Sequence, residues 1–152
     1  MVVMADKSVP TSDHIRDIIS FVEASPTSYH AVAELTRRLE QAGFQRLEET
    51  ESWPSVEGRR YVVRDGAVIA WITPEKVTPQ LGARIVGSHT DSPSFKLKPN
   101  ATVTNQGWQQ VGMEVYGGGL LNSWLDRDLG LSGRLVTCDG QAPVSYTHLT
   151  LP

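Results

Sequence analysis

Arg60-Tyr61-Val62-Val63-Arg64, Asp65-Gly66 and Ala67-Val68-Ile69-Ala70-Trp71-Ile72 read as strand, turn and strand. Both arms are rich in β-branched and aromatic residues, which fit a pleated, half-buried surface. Asp-Gly between them suits the two positive-φ positions of a type I′ turn, so a tight hairpin is expected. The residues before it have a different period. Ile15, Ile18, Ile19 and Val22 fall at i, i+3, i+4 and i+7, which predicts a helix from about Ser12 to Glu23 with one apolar face. Thr11 or Ser12 is a candidate N-cap, and Pro26 follows the end. A second helix fits from about Tyr29 to Ala42, with Ser28 as N-cap and Gly43 where a left-handed cap is wanted. After the hairpin come further strand candidates: Arg84-Ile85-Val86-Gly87-Ser88 as a buried strand, then Phe95 to Lys98, Met113 to Tyr116 and Ser132 to Val136. Two helices followed by strands predict a mixed α/β fold. Few helical segments follow residue 42, so one face of such a sheet is expected to be poorly covered.

Composition narrows the function. The 152 residues carry 14 Lys plus Arg and 17 Asp plus Glu, a net charge of −3, without the basic stripe of a nucleic-acid binder. No apolar run approaches the ~20 residues of a membrane span. Residues 1–11 read as a disordered lead without a signal-peptide core. The lone Cys138 cannot form an internal disulfide and reads as a small buried hydrophobe. A reducing, cytoplasmic setting is expected.

Chemistry concentrates in Gly87-Ser88-His89-Thr90-Asp91-Ser92-Pro93. His89 follows the expected strand, and strand ends are where α/β sheets gather ligands. A metal-bound imidazole needs an acceptor on its other nitrogen, and Asp91 stands two residues on. One histidine cannot hold zinc alone, because three or four protein ligands are required. His14 and His30 read as surface or capping residues. Asp126 and Asp128 could bind metal, but a local ion-pair cluster around Arg127 is the simpler expectation. Lys96 and Lys98 read as a solvated strand face.

Together these blocks resemble a known family. The residues from Gly87 to Pro93, with Lys96-Leu97-Lys98-Pro99, look like the first metal motif of the aspartyl aminopeptidases, metallopeptidase family eighteen. Glu114-Val115-Tyr116-Gly117-Gly118-Gly119-Leu120, Trp124-Leu125-Asp126-Arg127-Asp128-Leu129 and Gly133-Arg134-Leu135-Val136 resemble its next block. Ser25 to Val32 is similar to its N-terminal signature.

The resemblance implies a zinc exopeptidase that removes an N-terminal, often acidic, residue from peptides. Members are cytoplasmic in bacteria and form homo-oligomeric dodecamers. Two zinc ions polarise the scissile carbonyl and activate a bridging water, with a glutamate as general base. By position, His89 is implied as a metal ligand and Asp91 as the catalytic outer-shell carboxylate that orients it. The remaining ligands of the family lie after an inserted dimerisation domain. Residues 12–143 would then be the N-terminal part of a zinc-peptidase catalytic domain, cut near the start of that insertion and inactive alone. Residues 144–152 do not resemble the family. Back-translated, they resemble a sequencing-library adapter read in frame, so the genuine protein is expected to end near Ala142 or Pro143, and this tail to pack poorly. The alternative is a non-catalytic binding or assembly module on the same strand platform.

Overall fold

The computed structural model describes residues 11–53, 57–76, 78 and 81–141, and the backbone of residues 144–148. The proposed disordered lead lies outside these residues, apart from Thr11. Helix α1 runs Thr11–Glu23 and helix α2 Ser28–Gln41. Seven strands follow: β1 (Gln45–Arg46), β2 (Gly58–Arg64), β3 (Ala67–Thr73), β4 (Ser94–Asn105), β5 (Trp108–Tyr116), β6 (Gly130–Arg134) and β7 (Val144–His148). The fold is mixed α/β, as expected. No described helix is long and apolar enough to cross a membrane.

Helix α2 starts one residue earlier than its pattern implied. Thr27, not Ser28, is the N-cap, and its hydroxyl accepts from the His30 backbone N–H at 3.3 Å. The same oxygen sits 2.8 Å from His30 Nδ1, so Thr27 is the cap and the His30 ring bonds to it. At the other end Gly43 takes φ 79°. Its N–H bonds to Glu40 O at 2.9 Å, and Phe44 N–H bonds to Leu39 O at 2.9 Å, the double closure of a left-handed helix cap.

The core lies between α2 and the hairpin. The buried apolar residues among those described are Ala31, Val32, Phe44, Tyr61 and Val62. Strands β2 and β3 pair antiparallel from Gly58↔Thr73 to Arg64↔Ala67, and β1 adds parallel to β2. Tyr61 is completely buried, and its hydroxyl donates to Glu40 Oε1 at 2.7 Å. Arg59 Nη1 reaches the Ala42 carbonyl at 2.6 Å and lies over the Phe44 ring, tying the hairpin to the helix end.

Glu34 organises the outer side of α2. It accepts from Arg37 Nε at 2.7 Å and from Arg38 Nε at 2.7 Å, and Arg38 Nη1 also binds Asp17 Oδ1 of α1 at 2.8 Å. The hydrogen bonds from Arg37 and Arg38 hold the Glu34 carboxyl down to about 2. A depressed carboxylate stabilises the fold above its unfolded value of 4.5 and loses that contribution as pH falls toward about 2. A denaturant midpoint measured against pH should therefore fall across this window in the wild type. Glu34→Gln should flatten that part of the acid limb, and an unchanged limb in the variant would contradict the assignment.

Arg84 to Ser88 is not a strand, and Ile85 and Val86 are 88% and 68% exposed. An apolar strand of this kind needs neighbours on both edges and both faces, and the described residues supply none to it. The α1 stripe of Ile15, Ile18, Ile19 and Val22 is likewise at least half exposed. The α1 stripe and residues 85–86 are thus apolar surfaces that the other described residues do not cover.

Strands β4 and β5 form a long hairpin that reached the sequence reading only as two short pieces. Its turn, Gln106 and Gly107, has positive φ at both positions. The pairing shifts register between Leu97 and Thr102, around Pro99, which has no N–H to give to a ladder. β6 begins two residues earlier than expected. The segment expected to pack poorly as a tail pairs, over residues 144–148, antiparallel to β6 through its backbone. Cys138 is exposed, not buried, because it sits in the turn after β6 with little packed on it. Arg127 donates to the Ser123 carbonyl at 3.2 Å, and no ion pair joins it to Asp126 or Asp128 among the described residues.

Candidate functional site

The segment from Leu81 to Pro93 has no regular backbone pairing. It passes the Asp65–Gly66 turn and then enters β4. In that turn Asp65 has φ 52°, whereas Gly66 does not take the left-handed φ that a type I′ turn requires. Gly66 is instead squeezed: a Cβ there would lie 2.6 Å from Ser28 Oγ and 3.0 Å from Ser28 Cβ, at the first residue of α2. Its carbonyl accepts from Thr90 Oγ1 at 2.7 Å. Asp65 Oδ1 accepts from Arg134 Nη1 at 2.5 Å, and the Arg134 guanidinium lies 4.5 Å from the Tyr29 ring centroid. One turn thereby joins the start of α2, the His89 segment and β6.

This junction is testable. Gly66→Ala should destabilise the chain by about 1–3 kcal/mol, the cost of overpacking a tight contact. Adding Ser28→Gly should recover most of that loss in a double-mutant denaturation cycle. An undiminished loss in the double variant would show that the close approach is not its cause.

His89 is open to solvent, its side chain 79% exposed. Nδ1 lies 2.7 Å from the Asp91 carbonyl oxygen. A carbonyl only accepts, so Nδ1 carries the hydrogen and Nε2 keeps the lone pair. The Asp91 side chain does less of the orienting than its position suggested: Oδ1 is 3.6 Å from Nδ1, and the backbone oxygen takes the bond. Oδ2 accepts from the Tyr116 hydroxyl at 2.6 Å. That bond, ahead of the one from Asp91's own backbone N–H, holds the Asp91 carboxyl below the usual carboxylate range and raises Tyr116. Tyr116 ends β5, and the next residue, Gly117 at φ 73°, lies so close to Pro93 that a Cβ there would sit 3.3 Å from its ring. Sequence spacing brought His89 and Asp91 together but missed Thr90 and Tyr116, whose partners stand 24 and 25 residues away.

These residues do not fit a metal ion by themselves. No group of three His, Cys, Asp or Glu side chains converges among the described residues. The donor set is one imidazole beside a carboxylate already engaged by a phenol, short of the three or four ligands zinc takes from a protein. Asp126, Asp128 and Glu114 are not brought to His89.

The comparisons with known proteins agree with this partial picture. The family model described as aminopeptidase I zinc metalloprotease (M18) matches residues 21–148. A probable M18 family aminopeptidase 2 of Streptomyces avermitilis is 54% identical over 127 residues, covering 84% of this chain and 29% of the relative. Its counterpart in Pseudomonas entomophila is 48% identical over 139 residues, covering 89% and 32%. The crystal structure of yeast aminopeptidase 1 matches with a TM-score of 0.75 at 32% identity, over 89% of this chain and 32% of that one. An M18 aminopeptidase from Thermotoga maritima matches at 0.74 and 26% identity, over 89% and 30%. The chain therefore spans 29% to 32% of the length of these curated relatives. With the family model covering most of its residues, the chain belongs to the M18 family of aminopeptidase I zinc metalloproteases.

Proposed function

We propose that residues 12–143 are the N-terminal part of the catalytic domain of a zinc-dependent aminopeptidase. The complete enzyme removes N-terminal, often acidic, residues from peptides, works in the cytoplasm as a homo-oligomer, and binds two zinc ions. In this reading His89 is a ligand of one ion, and Asp91 is the residue that orients it. The observation that carries the proposal is the state of His89: exposed, with Nδ1–H held by Asp91 O at 2.7 Å and the Nε2 lone pair left free. Metal-bound histidines are held in the same way, by an acceptor on the far nitrogen that fixes tautomer and ring orientation. The uncovered apolar surfaces of α1 and of residues 85–86 support a piece that packs against further chain. The solved dodecamer of the yeast relative supports the oligomer.

The 152-residue chain alone is inactive in this reading. A lone imidazole binds zinc too weakly to hold it against water, and among the described residues no group of three His, Cys, Asp or Glu side chains converges. The purified chain with added zinc should release no free aspartate from an Asp-peptide above the rate of buffer. Chelator-sensitive release would overturn this and place a complete centre within these residues.

A further inference from the structure

The stretch from Leu81 to Pro93 carries His89 and Asp91, yet it has no ladder to hold it. Every residue in it is exposed except Thr90, which is half-buried. Among the described residues, two side-chain hydrogen bonds tie it to the rest of the fold. Thr90 Oγ1 donates to the Gly66 carbonyl at 2.7 Å, and the Tyr116 hydroxyl donates to Asp91 Oδ2 at 2.6 Å. Only the first has a rigid partner: Gly66 is wedged against Ser28 at the start of α2 and bounded by Asp65, itself paired with Arg134. Thr90 lies between His89 and Asp91 in the chain. Fixing its side chain fixes the backbone on which the imidazole leaves one way and the Asp91 carbonyl returns to meet it. A neutral imidazole in water prefers the hydrogen on Nε2. Here the Asp91 carbonyl at 2.7 Å from Nδ1 demands the opposite tautomer.

We propose that Thr90 is the positioning residue of the His89 turn: its bond to the Gly66 carbonyl holds the Asp91 carbonyl against His89 Nδ1–H and so keeps the Nε2 lone pair free and outward. The catalytic meaning of this device rests on the reading of His89 as a metal ligand, but the device itself does not. The anchor makes the ring ready before any ion arrives, which lowers the ordering cost of binding.

The test reads the tautomer directly. The full ¹⁵N-labelled chain is studied by long-range ¹H–¹⁵N NMR over a pH series, and the tautomer is read on the alkaline plateau of the ring signals. His89 signals are assigned by their loss in His89→Gln. In the wild type the Nδ1–H form should dominate. Thr90→Val, and independently Thr90→Ala, should lower the Nδ1–H to Nε2–H ratio by about fivefold, the equivalent of one net hydrogen bond. Thr90→Ser, which keeps the hydroxyl, should restore it. Amide protection along β2 and β3 shows in each variant that the fold is kept. A wild type in the Nε2–H form, an unchanged ratio in both deletion variants, or a Thr90→Ser chain that behaves like Thr90→Val would each overturn the proposal. None of these results bears on zinc. The metal reading fails separately, if loss of the His89 side chain leaves the assembled enzyme's zinc and activity intact.

Discussion

Tyr61→Ala is expected to abolish the cooperative folding of the unit formed by α2, β2 and β3. Tyr61 is the large side chain that this core buries completely, and the core around it is small: Ala31 and Val32 from the helix, Phe44 after the cap, and Val62 beside it. Truncating a buried aromatic residue costs about 3–5 kcal/mol. Whole domains are stable by only about 5–15 kcal/mol, and a unit with so few buried residues sits at or below the low end of that range. The substitution also removes the hydroxyl that donates to Glu40 Oε1 at 2.7 Å. Burial and this carboxylate push the phenol up to about 12, so it stays neutral and donating at any physiological pH. Tyr61→Phe keeps the ring and removes only the hydrogen bond, a loss of about 1 kcal/mol. Amide hydrogen exchange separates the cases. Protection along Arg59 to Ile72 should vanish in Tyr61→Ala and survive in Tyr61→Phe. Wild-type protection in the alanine variant would show that the core lies elsewhere.

Much of this unit was legible in the sequence because its determinants are local. The stripe Val32, Leu35 and Leu39 and the glycine at 43 specify α2 and its end. The β-branched runs on either side of Asp65-Gly66 specify the hairpin and its register, Val63↔Val68 and Tyr61↔Ala70. Details that depend on contacts from afar were not legible. At the Asp65–Gly66 turn, Ser28 lies against Gly66 and Thr90 bonds to its carbonyl, and neither is near in sequence. Pro99 reads as the end of a strand, but a shift of register lets β4 run past it to Asn105.

The apolar runs taught a different lesson. Ile85 and Val86, like the α1 stripe, have the pattern of a buried element, and in this chain they are exposed. Patterning states that a surface is to be covered; it does not state that the covering residues lie in the same stretch of chain. The chain spans less than a third of the relatives it matches, which is consistent with such surfaces. At the candidate site, His89 and Asp91 were legible from their two-residue spacing, while the hydroxyls of Thr90 and Tyr116 carried no local signal. The Asp91 backbone oxygen, rather than its carboxylate, as acceptor for Nδ1 follows only from the path of the turn.

The second large effect concerns the imidazole at the centre of the account. Residues 21–141 of this chain can be exchanged for the aligned segment of the Streptomyces avermitilis relative, which is 54% identical over 127 residues and supplies the remaining length. Such a chimera should bind zinc and release N-terminal residues from peptides in a chelator-sensitive way. Asp91→Asn keeps the backbone carbonyl that holds His89 Nδ1–H, so it should lower release by less than the about 10–100-fold that loss of an outer-shell partner costs. His89→Ala removes the side chain proposed as a metal ligand and should do more. The decisive measurement is therefore bound zinc together with peptide turnover in the His89→Ala chimera. The account predicts less zinc and a loss of turnover greater than about a hundredfold, with the fold retained. A chimera that folds but never cleaves, or a His89→Ala chimera with undiminished zinc and turnover, would contradict it.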